Sequence, residues 1–243
     1  RARDLFTALW LPDNFMRAVK ENTDWYLFCP NDIISAGLKP LQECYGDEYE
    51  AIYNTAAEMG LGKKVSAQTI WSKIIESQVE TGVPYLCSKD SANRKTNHQN
   101  IGVIKQSNLC NEIYQYTDEE TTAICTLSSI VLKNFVKSNK FDFQLLFEEV
   151  RKVVRTLNKV VDINNYSTQK GLKGGLEQRA IAIGTQGLAD VFNLCGLPFD
   201  CEDSRTMNAH IFETIYHAAL EASSELAEIN GPYESFEGSP ASQ

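Results

Sequence analysis

The sequence has 243 residues, 43% of them hydrophobic, and a formal net charge of −9. That length can bury a sizeable core in one large domain or two small ones, and the hydrophobic share is ordinary for a globular protein. The acidic balance argues against a nucleic-acid partner, and the lack of any apolar run of eighteen or more residues argues against a membrane span.

Helical patterns dominate the chain. Asp13 to Asn22 reads as a short helix after Pro12, and Asp47 to Met59 as another that Gly60 ends. Ser66 is an N-cap for a helix over Ala67 to Thr81, with Ile70, Trp71 and Ile74 on one side and Gly82 and Pro84 as the stop. Asp142 to Ile163 carries Leu146, Val150, Val153, Leu157 and Val161 at three- and four-residue steps, the mark of an amphipathic helix. Ser204 to Ile229 repeats the pattern with Met207, Ile211, Ile215, Ala222, Leu226 and Ile229, before Gly231-Pro232. Short apolar runs lie between: Asp4 to Leu11, Ile101 to Lys105, Thr122 to Leu127 and Ala180 to Gly184 are read as strands. Buried strands alternating with helices predict an α/β fold, either a barrel or a wound sheet.

The seven cysteines are Cys29, Cys44, Cys87, Cys110, Cys125, Cys195 and Cys201. The odd count, the wide spacing and the absence of a secretory signal fit a reducing cytoplasmic compartment. His98, His210 and His217 have no metal-ligand spacing with one another or with the cysteines, so no zinc site is expected. Neither a dinucleotide fingerprint nor a phosphate-cradling P-loop is present. Arg94 and Lys95 form a local basic pair, read either as a solvated loop or as a contact to a nucleotide phosphate.

The stretch Ser107-Asn108-Leu109-Cys110-Asn111-Glu112-Ile113 holds the most chemistry. On an extended backbone Asn108, Cys110 and Glu112 project to one side, with neighbouring members roughly 6–7 Å apart. An amide, a thiol and a carboxylate then line one small substrate; on a helix Cys110 would point away from the other two. Asn111 breaks the apolar alternation of the opposite face, which puts it at a strand end or in a loop. The competing reading makes Cys110 a small core hydrophobe and its neighbours loop markers. Cys125, in the apolar run Thr122-Ala123-Ile124-Cys125-Thr126-Leu127, has the same two readings: buried core residue, or one half of a dithiol whose partner must lie within about 7 Å between Cα atoms. The run Ala180 to Asp190 passes from strand to helix through Gly184 and Gly187, where glycine permits close approach of a neighbour or a ligand.

Taken together, these stretches resemble the large, catalytic subunits of class I ribonucleotide reductases of the eukaryotic and viral type. The resemblance is carried by Arg1-Ala2-Arg3-Asp4-Leu5-Phe6 with Ala8-Leu9-Trp10, by Asp24-Trp25, and by Ile75-Glu76-Ser77-Gln78 with Glu80-Thr81-Gly82. It continues through Asp90-Ser91 with Asn93-Arg94-Lys95, Ser107-Asn108-Leu109-Cys110 with Glu112-Ile113, and Gly184 with Gln186-Gly187-Leu188-Ala189-Asp190. Phe212-Glu213-Thr214-Ile215-Tyr216, then Gly231-Pro232-Tyr233-Glu234 with Glu237-Gly238-Ser239-Pro240, complete it.

The resemblance implies a ten-stranded α/β barrel of which residues 1–243 are the central part, with the cysteine on an interior loop. It implies that Cys110 is the transient thiyl radical taking the 3′ hydrogen of a ribonucleoside diphosphate, that Glu112 accepts the 3′-hydroxyl proton, and that Asn108 orients the ribose. Cys125 becomes one of two thiols that reduce the 2′ carbon, and exchange with thioredoxin or glutaredoxin regenerates it. Its partner is expected before Arg1, together with the specificity loop, the ATP and dNTP effector sites and the dimer helices. The tyrosines that pass the radical, much of the phosphate site and the tail cysteines are expected after Gln243. The chain is thus expected to be an internal fragment, inactive alone. It binds no cofactor itself and belongs to a homodimer or higher oligomer that receives its radical from a diiron-tyrosyl small subunit, to supply DNA precursors. The alternative from another class is a catalytically silent, reductase-like regulatory or scaffold subunit, which has no need of Asn108, Cys110, Glu112 and Cys125 together.

Overall fold

A computed structural model describes residues 4–243; Arg1, Ala2 and Arg3, the start of the first family-like segment, lie outside the described residues. The chain forms two compact units. One takes the residues up to Asp118 together with Glu237–Gln243, and the other is Glu119–Phe236.

The first unit contains, in order, β1 (Ala8–Leu11), α1 (Asp13–Glu21), β2 (Asp24–Leu27), α2 (Pro30–Ser35), α3 (Gly46–Glu58), β3 (Lys63–Ser66), α4 (Ala67–Thr81), β4 (Tyr85–Ser88) and α5 (Lys89–Lys95). β1 and β4 pair in parallel with Trp10 opposite Cys87, and β2 pairs antiparallel with β3, Trp25 opposite Val65. The core is aromatic: Trp25 stacks on Tyr53 with centroids 4.4 Å apart, and Phe15 meets the edge of Trp25 at 5.0 Å. α4 is bounded as its sequence predicts. Ser66 Oγ accepts from the Thr69 N–H at its start, and Gly82 closes it in the left-handed region (φ +77°), which a residue with a Cβ enters only at a cost.

The second unit contains β5 (Leu127–Val131), β6 (Val136–Lys137), β7 (Lys140–Phe141), α6 (Phe143–Ile163), α7 (Gln169–Gln178), β8 (Ala182–Gln186), α8 (Leu188–Leu194) and α9 (Glu202–Asn230). β5 and β8 run parallel; β6 and β7 form a hairpin whose two turn residues, Ser138 and Asn139, both have positive φ. α6 packs on α9. Leu146, Val150, Val154, Leu157 and Val161 form its buried stripe, each contributing roughly 1.5–3 kcal/mol by leaving water. α9 answers with Ile211, Ile215, Ala218 and Ala222. Arg151 of α6 pairs with Glu221 and Glu225 of α9 beside this seam.

The α/β class holds. The described residues contain parallel and antiparallel strand pairs and no closed barrel. Several strands fall elsewhere than predicted. The first apolar run is strand only from Ala8 to Leu11, and the run before α8 is displaced to Ala182–Gln186. Thr122 to Thr126 is irregular, and its strand begins at Leu127. Ile101 to Lys105 forms no strand, because the Asn93 side chain takes the hydrogen bonds of Ile104 that a neighbouring strand would otherwise supply. The strands are also less buried than expected; β1, β5 and β8 are half-exposed along most of their length. On α6, Val154 rather than Val153 enters the buried stripe, and on α9 Ile229 is exposed.

Candidate active site

The Ser107–Ile113 stretch is a reversal, not the extended strand predicted for it. The Asn111 N–H donates to the Asn108 carbonyl at 3.1 Å, closing a turn over Leu109 and Cys110. Asn111 then adopts a left-handed conformation, φ +67°. Local side chains win the backbone groups that a strand would need. Ser107 Oγ donates to the Ile113 carbonyl at 2.6 Å, and the Ile113 N–H donates to Asn108 Oδ1 at 3.0 Å. Asparagine tolerates the left-handed region better than most residues, which suits it to the corner.

This reversal has a chemical consequence. Asn108 and Glu112 meet at the base of the turn, where Asn108 Nδ2 donates to Glu112 Oε1 at 2.8 Å. Cys110 is exposed at the tip, not sealed in a core. Convergence of amide and acid therefore comes from a turn, whereas the sequence pattern pointed to a strand face. A carboxylate at the surface, held by an amide, can accept a proton from a hydroxyl inserted between them. The exposed Cys110 lies on the same turn, between the two in sequence.

Three contacts fix this turn to the body of its unit. Asn93, 1% exposed, grips Ile104 by both backbone groups: its Oδ1 accepts from the Ile104 N–H at 2.7 Å and its Nδ2 donates to the Ile104 carbonyl at 3.0 Å. The Cys87 thiol donates to Asn111 Oδ1 at 2.9 Å. Beyond the turn, the Tyr116 N–H donates to Nδ1 of the buried His98 at 3.0 Å, and burial lowers the pKa of that imidazole. An open cavity of about 390 Å³, lined in part by Leu86, Ser88, Ser91, Lys95 and Tyr114, lies in the same unit; Asn108, Cys110 and Glu112 are not among its walls.

Cys125 belongs to the other unit and is exposed, in the irregular stretch just before β5, so neither the strand nor the buried-core reading describes it. α7 holds that stretch. The Thr122 N–H donates to the Lys170 carbonyl at 3.1 Å, and a Cβ at Gly174 would collide with the Thr122 carbonyl. The helix approaches so closely because it presents glycine there. Of the five other cysteines, Cys29 is exposed, and Cys44 and Cys87 are buried. Within Ala180 to Asp190, β8 passes into α8 through Gly187, as predicted, and its φ of +81° explains the glycine; Gly184 lies inside the strand.

Sequence reasoning missed what Lys89, Asp90 and Asn93 do. The Asp90 carboxylate accepts from the first backbone N–H of α1 (Asp13) and of α3 (Gly46), each at 2.6 Å, so one acid caps two helices. Lys89 is 4% exposed; it donates to the Leu41 carbonyl at 2.6 Å and lies 4.2 Å from the centre of the Tyr49 ring. Arg94, read as a loop or phosphate contact, sits on α5 and pairs with Asp13 at 3.1 Å. The available signal was a run of charged residues after Cys87, but nothing in it reveals that the partners of Lys89 and Asp90 are backbone groups dozens of positions away.

No helix among the described residues is long and apolar enough to cross a membrane. The family model described as "Ribonucleotide reductase, barrel domain" matches residues 1–243. The ribonucleoside-diphosphate reductase large chain of Schizosaccharomyces pombe is 46% identical over 244 residues, covering 100% of this chain and 30% of its own length. The large subunits of Caenorhabditis elegans and Danio rerio are 47% and 49% identical, again over 100% of this chain and 30% of theirs. The chain thus spans about 30% of the length of the curated relatives it matches. With the family model matching over residues 1–243 and relatives 46–49% identical along the whole chain, the chain belongs to the ribonucleotide reductase family, in its barrel domain.

Proposed function

We propose that this chain is the central part of the catalytic ten-stranded α/β barrel of a class I ribonucleotide reductase large subunit, which converts ribonucleoside diphosphates to 2′-deoxyribonucleoside diphosphates. One observation carries the reading: the exposed Cys110 stands on a turn whose base is the Asn108–Glu112 hydrogen bond of 2.8 Å. Cys110, as a thiyl radical, takes the 3′ hydrogen of the ribose. The 3′-hydroxyl enters between Asn108 and Glu112, gives its proton to the carboxylate and is oriented by the amide. Cys125 is one of the two thiols that deliver the reducing electrons at the 2′ carbon and close a disulfide, which thioredoxin or glutaredoxin reopens.

The radical enters from a diiron-tyrosyl small subunit; ATP and dNTP effectors act on regions outside these residues, in a cytoplasmic homodimer or larger assembly. The names of the relatives support the substrate class, since they are ribonucleoside-diphosphate reductase large subunits. A silent scaffold gains nothing from retaining the acid, the amide and both thiols. The test is Cys110→Ser in the full-length large subunit with its small subunit. Reduction of CDP is expected to vanish while nucleotide binding stays within a fewfold of wild type; turnover near wild type overturns the proposal.

A further inference from the structure

The turn that bears Cys110 is held from one side by two residues that face each other in the β1–β4 pair. Trp10 and Cys87 are register partners, so both side chains leave the parallel pair on the same face. Trp10 stacks on Tyr114 with centroids 5.7 Å apart, and Cys87, 2% exposed, donates to Asn111 Oδ1. Tyr114 reaches the same oxygen through its hydroxyl at 3.4 Å. Two donors therefore converge on the carboxamide of the one left-handed residue in the turn, the residue that follows Cys110.

We propose that Cys87 is a positioning residue for Cys110, acting through Asn111. The dihedral angles of Asn111 set where the turn's last peptide lies, and that peptide carries the direction of the Cys110 side chain. A non-glycine residue in the left-handed region is held there by its surroundings. Here the surroundings are a thiol donor from β4, a phenol donor from the next segment, and the Asn111 N–H bond back to Asn108. Loosening the corner spreads the orientations of the Cys110 sulfur, and hydrogen transfer is sensitive to such spread. Burial, helped by the adjacent Cys87 thiol, raises the pKa of Tyr114, so its hydroxyl stays protonated and able to donate. A purely structural Cys87 would make a different demand: an apolar side chain of similar size would serve equally well.

The inference rests on the reductase reading, and the experiment separates the two. In the full-length large subunit with its small subunit, Cys87→Val is expected to lower kcat for CDP about five- to tenfold, the size of one lost hydrogen bond, with KM within about twofold. Cys87→Ser, which can still donate, is expected to recover most of the loss. Asn111→Gly keeps the left-handed corner without the carboxamide; it reproduces the loss, and adding Cys87→Val to it costs nothing further. Asn111→Gly leaves the strands untouched, so it decides the matter if Cys87→Val unfolds. Wild-type kcat in Cys87→Val, no recovery in Cys87→Ser, or additive losses in the double variant overturn the proposal. A wild-type protein that does not reduce CDP defeats the reductase reading instead. The rate of Cys110 alkylation by iodoacetamide, followed on its peptide by mass spectrometry, then judges the positioning role: a severalfold change in Cys87→Val that Cys87→Ser reverses upholds it, and an unchanged rate overturns it.

Discussion

Asn108 Nδ2 donates to Glu112 Oε1 at 2.8 Å across a turn that leaves Cys110 between them in sequence and exposed in space. The amide and the acid are held together by this bond, and the function proposed above has a ribose hydroxyl enter between them. Its acid half is testable by itself.

Glu112→Gln keeps an oxygen that can accept from Asn108 but removes the base. In the full-length protein kcat for CDP is expected to fall roughly 10²–10⁴-fold, with KM and the thermal midpoint close to wild type. Steady-state kinetics that show kcat unchanged would remove Glu112 from the proton-accepting role.

Cys125→Ser removes one of the two proposed reducing thiols and leaves the fold alone, since the side chain is exposed. Multiple-turnover reduction with a thiol reductant is expected to be lost, while alkylation of Cys110 proceeds as in wild type. Continued turnover at the normal rate contradicts the assignment.

Asn93→Ala strands the backbone N–H and carbonyl of the fully buried Ile104 without partners. Each unpaired buried group costs about 1–3 kcal/mol, so a destabilisation of about 2–6 kcal/mol is expected, concentrated in the segment leading to the Cys110 turn. Hydrogen–deuterium exchange of peptides over residues 100–113 should quicken more than that of α6 or α9. Uniform exchange across the protein would show that Asn93 does not anchor this segment.

His98 supplies a pH dependence. Burial lowers its folded-state pKa, and Nδ1 must be unprotonated to accept from the Tyr116 N–H. The folded state thus binds fewer protons than the unfolded state, where histidine titrates near about 6.5. Its stabilising contribution is complete above that value and is lost as pH falls through the lower folded-state value. Thermal midpoints of wild type and His98→Asn, whose oxygen can accept but does not titrate, are expected to converge between pH 7.5 and 5.5. Parallel slopes would mean His98 is not the titrating group.

What the sequence determined by itself is local. The helix over 67–81 was legible with its caps, because Ser66 and Gly82 act on backbone groups a few positions away; the helix read over 142–163 was legible from its apolar stripe, and Asp142, taken as its first residue, is its N-cap. So was the strand-to-helix passage at Gly187, and the stretch with Asn108, Cys110 and Glu112 carries part of the family resemblance. The tertiary structure decided what depends on distant partners. Alternation of side chains pointed to a strand at 107–113, but hydrogen bonds from Ser107 and Asn108 to Ile113 fold it into a turn. Asn93 took the backbone of Ile104, so no strand formed there, and Asp90 was spent on the first amides of two helices. Side-chain periodicity reports which face meets a core; it does not report which backbone groups a polar side chain will claim, and at this turn that competition set the geometry.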